Sequence, residues 1–188
     1  DLTGALEQPK TTHLAALTEP AKIGELLRAI DAYQGSPVTT AALKLAPLFF
    51  VRPGELRSAR WADIDLEGAE WRYTASKTKT PHIVPLATQA IAILRELHPL
   101  TQRSEYVFPS VRGASRPMSE NTINVALRTM GYDGSVMTGH GFRAMARTIL
   151  HEELGVDRDV IEHQLAHTVP DALGTAYNQI GRASCRER

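Results

Sequence analysis

Apolar residues recur at helical spacing along most of the chain. The first such stretch carries Ile23, Leu26, Leu27 and Ile30 on one face. Thr18-Glu19-Pro20 precedes it with a capping residue, an acid and a proline, which predicts that a helix begins there. Further helices are predicted at residues 38–51, 52–60, 88–98, 119–130, 142–154 and 157–165, and in a short segment around Tyr177.

Strand-like alternation is confined to residues 71–86. Residues 71–75 and 82–86 alternate between apolar and polar side chains, and a tight basic turn from Ser76 to Pro81 separates them. This pattern predicts an antiparallel hairpin. The expected fold class is therefore α+β, mainly helical with a small antiparallel sheet on one side.

The composition is typical of a single globular domain, with 188 residues, 43% hydrophobic and 22% charged. The lone cysteine, Cys185, can form neither a disulfide framework nor a cysteine metal site, which suits a reducing cytoplasm. The longest apolar run, Leu43–Val51, contains Lys44 and Pro47 and is far shorter than the ~20 residues of a membrane span. We therefore expect one domain and no membrane partner.

The charge balance weighs against a nucleic-acid partner. The chain has 21 basic and 21 acidic residues, whereas a DNA-binding surface usually shows a basic excess. A neutral total still permits a basic face if the acids lie on the opposite side.

The two ends of the chain look unlike the rest. Asp1 stands where a methionine would begin a chain, so residues 1–17 are expected to be the remnant of a linker from an N-terminal DNA-binding domain. Residues 180–188, IGRASCRER, resemble one reading frame of a sequencing-adapter oligonucleotide, and we expect native protein to stop near Gln179. Without the three arginines and one glutamate of that segment, 18 basic and 20 acidic residues remain. The predicted domain is therefore 18–179.

Strong polar groups stand in five short segments where packing does not require them. These segments are Arg52-Pro-Gly-Glu55, Ser76–Thr80, His140-Gly-Phe-Arg143, Leu165-Ala-His167 and Ala176-Tyr177-Asn178. Each segment alone has a structural interpretation that deserves the larger weight. Arg52 could meet the negative end of the preceding helix, and Tyr177 could be a core tyrosine.

Two other kinds of site are disfavoured. His163 and His167 stand at the helical spacing of metal ligands, but Gln164 occupies the position where the metalloprotease motif requires a glutamate. No G-x-S-x-G elbow is present, which disfavours a serine hydrolase. No metal site is expected.

Together, the five segments resemble, in order and approximate spacing, the signature of the tyrosine recombinases of the phage-integrase family. That signature has an arginine in G-x-R-x-x-E-L, a lysine in a β-hairpin, H-x-x-R on a helix, L-G-H, and then a tyrosine. The matching residues are Arg52 with Glu55, Lys77, His140, Arg143, His167 and Tyr177. The stretches RSARWADID, KTPHIVPL and TGHGFRAMART look most like prophage integrases. The resemblance implies the tyrosine recombinase catalytic-domain fold.

This sequence departs from the family signature at two positions. Ala166 stands where the family has the glycine of L-G-H, and we expect this change between small residues to be harmless. Phe50 stands where the family has a glycine two residues before the first arginine, and we expect it to alter local packing without touching Arg52.

The resemblance implies a phosphoryl transfer in which the Tyr177 oxygen attacks a DNA phosphodiester and the 5′-hydroxyl leaves. The bond energy is kept in a 3′-phosphotyrosine, so that the reaction needs no cofactor, neither ATP nor a metal. Arg52 and Arg143 would bind the phosphate, because a guanidinium is always charged and offers a planar fork to phosphate oxygens. His167 would donate a further hydrogen bond to it.

The same resemblance implies the proton transfers. Lys77 would protonate the departing 5′-oxygen, with Lys79 as the alternative in the same turn. His140 would accept the proton of Tyr177, because a tyrosine with a pKa of about 10 is a weak nucleophile unless it is activated. Glu55 would pair within the site and orient it.

The expected function is therefore a site-specific DNA recombinase, an integrase, that binds double-stranded DNA. A full-length protein is expected to act as a homotetramer on paired sites, and this chain alone to be a monomer. Two alternatives stay open: a type IB topoisomerase with the same tyrosine chemistry, and a DNA-binding relic without catalysis. Assembly on paired sites, as opposed to simple relaxation of supercoils, distinguishes the recombinase from the topoisomerase.

Overall fold

Seven helices and five short strands make up residues 14–167, the part of the chain that the computed structural model describes. The helices are α1 (Pro20–Ala32), α2 (Pro37–Phe49), α3 (Pro53–Arg57), α4 (Thr88–Thr101), α5 (Thr122–Thr129), α6 (Gly141–Thr148) and α7 (Arg158–Gln164). The strands are β1 (Ile64–Asp65), β2 (Glu70–Thr74), β3 (Pro81–Pro85), β4 (Pro109–Ser110) and β5 (Gly113–Pro117). A 3₁₀ turn spans Trp61–Asp63, and a π turn spans Ile149–Glu153. No helix in this part of the chain is long and apolar enough to cross a membrane.

Helix α2 is the centre of the core and packs against α1, α3, α4, α5 and α6. It begins at Ser36, whose hydroxyl accepts a hydrogen bond of 3.2 Å from the backbone N–H of Thr39. Leu43 and Phe49 are fully buried along it, and burial of each such side chain contributes about 1.5–3 kcal/mol. The predicted buried helix is confirmed.

Helix α2 ends because Phe50 takes the left-handed conformation, with φ of 54°. This conformation costs a non-glycine residue about 1–2 kcal/mol, which explains physically why the family signature has a glycine there. The chain then turns directly into α3, and Arg52 lies immediately before that helix. The end of the core helix therefore determines where Arg52 lies.

Three antiparallel strands form the predicted small sheet, in the order β1-β2-β3. Trp71 of β2 pairs with Val84 of β3, and both side chains are buried. In the turn between these strands, the Lys79 N–H donates to the Ala75 carbonyl at 2.8 Å, with Lys79 at φ of 56°. The predicted hairpin is confirmed, and its turn carries Lys77.

The sequence pattern missed three strands, β1, β4 and β5, and misplaced several element ends. β1 has two residues and β5 is mostly exposed, so neither shows apolar alternation; β5 pairs with β4 in a second hairpin. Leu27 lies on the predicted apolar face of α1, at the edge of the core, and is 38% exposed. The helix predicted to reach Arg60 ends at Arg57, and the helix predicted at 142–154 divides into α6 and the π turn.

Helix α7 ends in a left-handed residue. The His167 N–H donates to the Glu162 carbonyl at 3.0 Å, and the Ala166 N–H donates to the His163 carbonyl at 3.0 Å. Ala166 lies between them at φ of 50°. This pattern is a Schellman motif, in which the left-handed position favours glycine. The expectation that alanine is harmless there is therefore corrected: the geometry is kept, with a backbone strain of about 1–2 kcal/mol.

Ala166→Gly is expected to raise the free energy of unfolding by roughly 0.5–1 kcal/mol, because glycine adopts the left-handed conformation without strain. The matched control is Ala92→Gly, at an exposed right-handed position inside α4; it should lower the same quantity by about 1 kcal/mol. Urea unfolding of both variants measures the difference. A loss of stability in Ala166→Gly similar to that of the control would contradict the assignment.

Candidate functional site

An open cavity of about 280 Å³ brings together side chains that are far apart in the sequence. Its lining residues are Arg52, Lys77, Thr78, His140, Arg143, Ala166 and His167. Five of the six residues predicted to be catalytic therefore surround one space. The sixth, Tyr177, lies outside the described residues 14–167.

The ends of secondary-structure elements position these five side chains. Arg52 lies between α2 and α3, Lys77 in the β2–β3 turn, and His140 immediately before α6. Arg143 is in the first turn of α6, and His167 lies just beyond α7. Because α2 packs against α3 and α6, the core determines where the first arginine lies relative to the His140-x-x-Arg143 segment.

The two lysines of the turn differ in placement. Lys77 lines the cavity, and Lys79 is not among the residues that do. Both side chains are exposed, but the backbone of Lys79 takes the left-handed conformation that closes the turn. The geometry therefore favours Lys77 as the cation that meets a ligand in the cavity.

Glu55 contacts Arg52 without lining the cavity and is only 5% exposed. Its Oε2 accepts hydrogen bonds from the Arg52 N–H at 3.1 Å and from the Tyr73 hydroxyl at 3.1 Å. Its Oε1 accepts from Arg52 Nη1 and from the Ser76 N–H, each at 3.2 Å. Burial acts to raise the pKa of Glu55, but the Arg52 N–H, the Arg52 charge and the Tyr73 hydroxyl outweigh it and lower that pKa. The carboxylate thereby ties Arg52 to the turn that carries Lys77.

Arg143 is 4% exposed, and its guanidinium donates to three groups. Nη1 donates to the Phe50 carbonyl at 2.7 Å, and Nη2 donates to the Leu165 carbonyl at 2.6 Å and to His167 Nε2 at 2.9 Å. Burial first, and then the charge of Arg52, lower the pKa of Arg143, but an arginine stays protonated in proteins. The backbone carbonyl at position 50, which any residue there would offer, therefore contacts the second arginine of the site.

His167 connects Arg143 to a carboxylate. Arg143 can only donate, so His167 Nε2 must accept, and the ring proton is assigned to Nδ1. Nδ1 then donates to Glu162 Oε2 at 2.5 Å. The second oxygen of Glu162 accepts from Arg147 Nε at 2.6 Å.

His140 is suited to accept a proton. Burial, followed by the charges of Arg143 and Arg52, lowers its pKa, so the neutral imidazole is favoured.

The cavity is lined by three side-chain cations, and no carboxylate is among its lining residues. Such a surface attracts an anion with the shape and charge of a phosphate.

The described part of the chain offers no geometry that supports the metal alternative. Within residues 14–167, no group of three or more His, Cys, Asp or Glu side chains is placed to hold a metal ion. Both ring nitrogens of His167 are already engaged, one by Arg143 and the other by Glu162.

Sequence reasoning did not single out Tyr73 or Glu162. Tyr73 stands two residues after the buried Trp71 on β2, so both side chains lie on the same face of the strand. A tyrosine on a buried face usually has a hydrogen-bond partner for its hydroxyl, and this could have indicated a polar group such as Glu55 nearby. Glu162 stands five residues before His167, and only the Schellman turn at the end of α7 brings the two side chains together.

The model of the phage integrase family matches residues 17–182. Integrase of Enterobacteria phage P4 is 40% identical in an alignment of 192 residues. The alignment covers 94% of this chain and 44% of that protein. Putative protein IntB of Escherichia coli (strain K12) is likewise 40% identical over 192 residues, which cover 94% of this chain and 48% of that protein. The chain spans about half the length of these curated relatives. The boundaries predicted at residues 17 and 179 stay predictions.

Solved structures share the fold. The XerA recombinase superposes with a TM-score of 0.66 at 20% identity, over 94% of this chain and 67% of that one. A lambda integrase tetramer bound to a Holliday junction superposes with a TM-score of 0.66 at 18% identity, over 92% of this chain and 52% of that one. The predicted fold, mainly helical with a small antiparallel sheet, is confirmed.

Glu55→Gln is expected to lower the free energy of unfolding by about 2–3 kcal/mol at pH 7, because the amide leaves buried donors without an acceptor. The folded-state pKa of Glu55 is lowered, so the stability from its carboxylate is present above the unfolded pKa of about 4.3 and is lost as pH falls through the folded value. The difference in the free energy of unfolding between wild type and variant should therefore become smaller below about pH 4.3.

The control is Glu67→Gln, which alters a carboxylate whose side chain is 88% exposed and should change the free energy of unfolding by less than about 0.5 kcal/mol. Urea unfolding between pH 7 and pH 3 measures both variants. If the free energies of unfolding of wild type and Glu55→Gln differ by the same amount over this whole range, the carboxylate charge is not what stabilises the site.

Proposed function

The chain belongs to the phage integrase family, and on that premise we propose that it breaks and rejoins DNA strands in site-specific recombination through a covalent bond between Tyr177 and a 3′-phosphate. One observation carries the proposal: two guanidiniums, a lysine and two imidazoles surround one cavity. This set suits a phosphodiester, whose transition state carries extra negative charge on its non-bridging oxygens.

In the proposed step, Tyr177 Oη forms a bond to phosphorus while the bond from phosphorus to the 5′-oxygen breaks. His140 accepts the phenol proton, and Lys77 gives a proton to the departing 5′-oxygen, which leaves as a hydroxyl. Attack by a 5′-hydroxyl on the phosphotyrosine then reverses these transfers. One phosphoester bond replaces another in each direction, so the strand is rejoined without an external energy source.

Arg52 and Arg143 are proposed to bind the non-bridging oxygens, with His167 as a further donor. A guanidinium has five N–H donors, and three of those of Arg143 are engaged within residues 14–167. The remaining two have no partner in that part of the chain, and we propose that they bind the ligand. The bonds from Arg143 to carbonyls also stabilise the fold, so Arg143→Lys tests phosphate binding better than alanine does.

The proposed partner is double-stranded DNA. A lambda integrase tetramer bound to a Holliday junction has the same fold as this chain, and we extend that arrangement to the whole protein as a homotetramer on paired sites. The chain spans about half the length of its curated relatives, so assembly on paired sites is proposed for the whole protein. The covalent step is proposed for the described cavity together with Tyr177, and the chain alone is expected to be a monomer.

Tyr177→Phe is expected to abolish the covalent DNA adduct, because the nucleophilic oxygen is removed. A nicked DNA site from which the cleaved 5′ fragment diffuses away traps the adduct, which a denaturing gel detects. Tyr132→Phe is the matched control and should retain the adduct. The assay uses this chain and its full-length reading frame in parallel.

Two results would overturn the proposal. One is an adduct in Tyr177→Phe equal to that of the wild type. The other is no adduct from wild-type protein in either length, which would favour a DNA-binding protein without catalysis.

Lys77→Ala is expected to slow adduct formation by roughly 10²–10⁴-fold, the usual contribution of a general acid, whereas Lys79→Ala should have little effect. A DNA site with sulfur in place of the scissile 5′-oxygen needs no such proton, because a thiolate leaves readily. Lys77→Ala should therefore approach the wild-type rate on that substrate. Equal defects of Lys77→Ala on both substrates would show that Lys77 does not supply the proton.

A further inference from the structure

A carboxylate outside the cavity joins Arg147 to His167. Glu162 Oε2 accepts from His167 Nδ1 at 2.5 Å, and Oε1 accepts from Arg147 Nε at 2.6 Å. The Glu162 side chain is 15% exposed, whereas those of Arg147 and His167 are about half exposed, at 48% and 42%. Glu162 is therefore the most buried member of a chain of contacts that runs from α6 through α7 to the cavity.

We propose that Glu162 is a positioning residue for the phosphoryl transfer: it directs the Nδ1–H of His167 away from the cavity, so that Nε2 faces Arg143, and its charge supports a protonated His167 once an anion is bound. This inference rests on the proposed function only for the identity of the anion. The orientation of the ring in the free protein is a separate claim, and it can be measured without DNA.

The argument for the tautomer begins with Arg143. A guanidinium cannot accept a hydrogen bond, so His167 Nε2, at 2.9 Å from Arg143 Nη2, must be the acceptor. The single proton of the neutral ring then lies on Nδ1, where Glu162 accepts it. Glu162 is thus the second of two contacts that favour Nδ1–H, and without it only the Arg143 contact would oppose a proton on Nε2.

An anion in the cavity changes what His167 must do. A phosphate oxygen bound by the two remaining donors of Arg143 would lie close to His167, whose Nε2 is 2.9 Å from Arg143 Nη2. Nε2 can bind that anion only if it carries a proton and no longer accepts from Arg143. The resulting imidazolium would lie between the anion and Glu162, an arrangement that favours its positive charge. Arg143 and Arg147 of α6, Arg52, Lys77 and His140 oppose that charge, which is why a carboxylate on the outer side of the ring matters.

Arg147 supports this arrangement from the other oxygen of Glu162. Burial acts to raise the pKa of Glu162, but the hydrogen bonds from His167 and Arg147 outweigh it and lower that pKa. The carboxylate is therefore charged at neutral pH and is held at both oxygens. A histidine whose outer nitrogen donates to a carboxylate is a common way to orient a functional imidazole.

Two substitutions separate the two parts of the proposal. Glu162→Ala removes the acceptor of the Nδ1–H, so the share of the Nε2–H tautomer of His167 should rise against the remaining Arg143 contact. Glu162→Gln keeps an acceptor oxygen but loses the charge, so the tautomer should be retained. Adduct formation should slow by roughly 10–100-fold, the range known for carboxylate partners of metal-bound histidines. Glu67→Gln, which alters the exposed partner of Arg95, is the control and should change neither.

Nitrogen-15 NMR of the His167 ring in the DNA-free chain reports the tautomer, and the adduct assay on the nicked DNA site reports the rate. An unchanged ratio of the two tautomers in Glu162→Ala would overturn the positioning role. A wild-type adduct rate in Glu162→Gln would overturn the role of its charge.

The NMR comparison also separates this inference from the proposed function. If wild-type protein forms no adduct, the proposed function fails. A change of tautomer in Glu162→Ala would still support the positioning of His167 for anion binding in that case.

Discussion

A buried guanidinium connects the parts of the site. Arg143 is almost entirely removed from solvent, and a buried charge without partners would cost several kcal/mol. Its partners include the Phe50 and Leu165 carbonyls, which belong to the residues that cap the C-terminal ends of α2 and α7. Carbonyls at helix C-termini lack partners within the helix and carry partial negative charge. One cation therefore donates hydrogen bonds to a carbonyl at each of two helix ends, and it determines how far apart these ends lie.

The helix ends that meet this cation are strained. Phe50 and Ala166 both have the left-handed backbone conformation, which costs a residue with a side chain about 1–2 kcal/mol. The Phe50 carbonyl accepts from Arg143. Ala166, which follows Leu165, has a carbonyl that accepts from Arg52 at 3.3 Å. Hydrogen bonds to charged groups contribute about 1.5–3 kcal/mol each, so the arginines offset the strain that brings the carbonyls to them.

The neutral total charge of the chain conceals a local excess. Basic and acidic residues are equal in number, yet the cavity is lined by three cations and two histidines. The two carboxylates nearest to them, Glu55 and Glu162, are directed toward donors at the edge of the site and away from the cavity. They orient Arg52 and His167 and leave the cavity itself available to an anion. The objection from bulk charge therefore does not apply to the site.

The order of apolar and polar residues was enough to predict α1, α2 and the β2–β3 hairpin, because each has one buried face that repeats with the period of its element. The resemblance to a family signature identified the five cavity residues, because a signature depends on residue types and their order, and both can be read without a structure. Packing alone decided the rest. The exposed β4–β5 hairpin has no buried face to produce a pattern, and Glu162 reaches His167 only because α7 ends in a left-handed turn. The cavity depends on Arg143 meeting carbonyls that are 93 and 22 positions away, and such contacts exist only once α2, α6 and α7 have packed together.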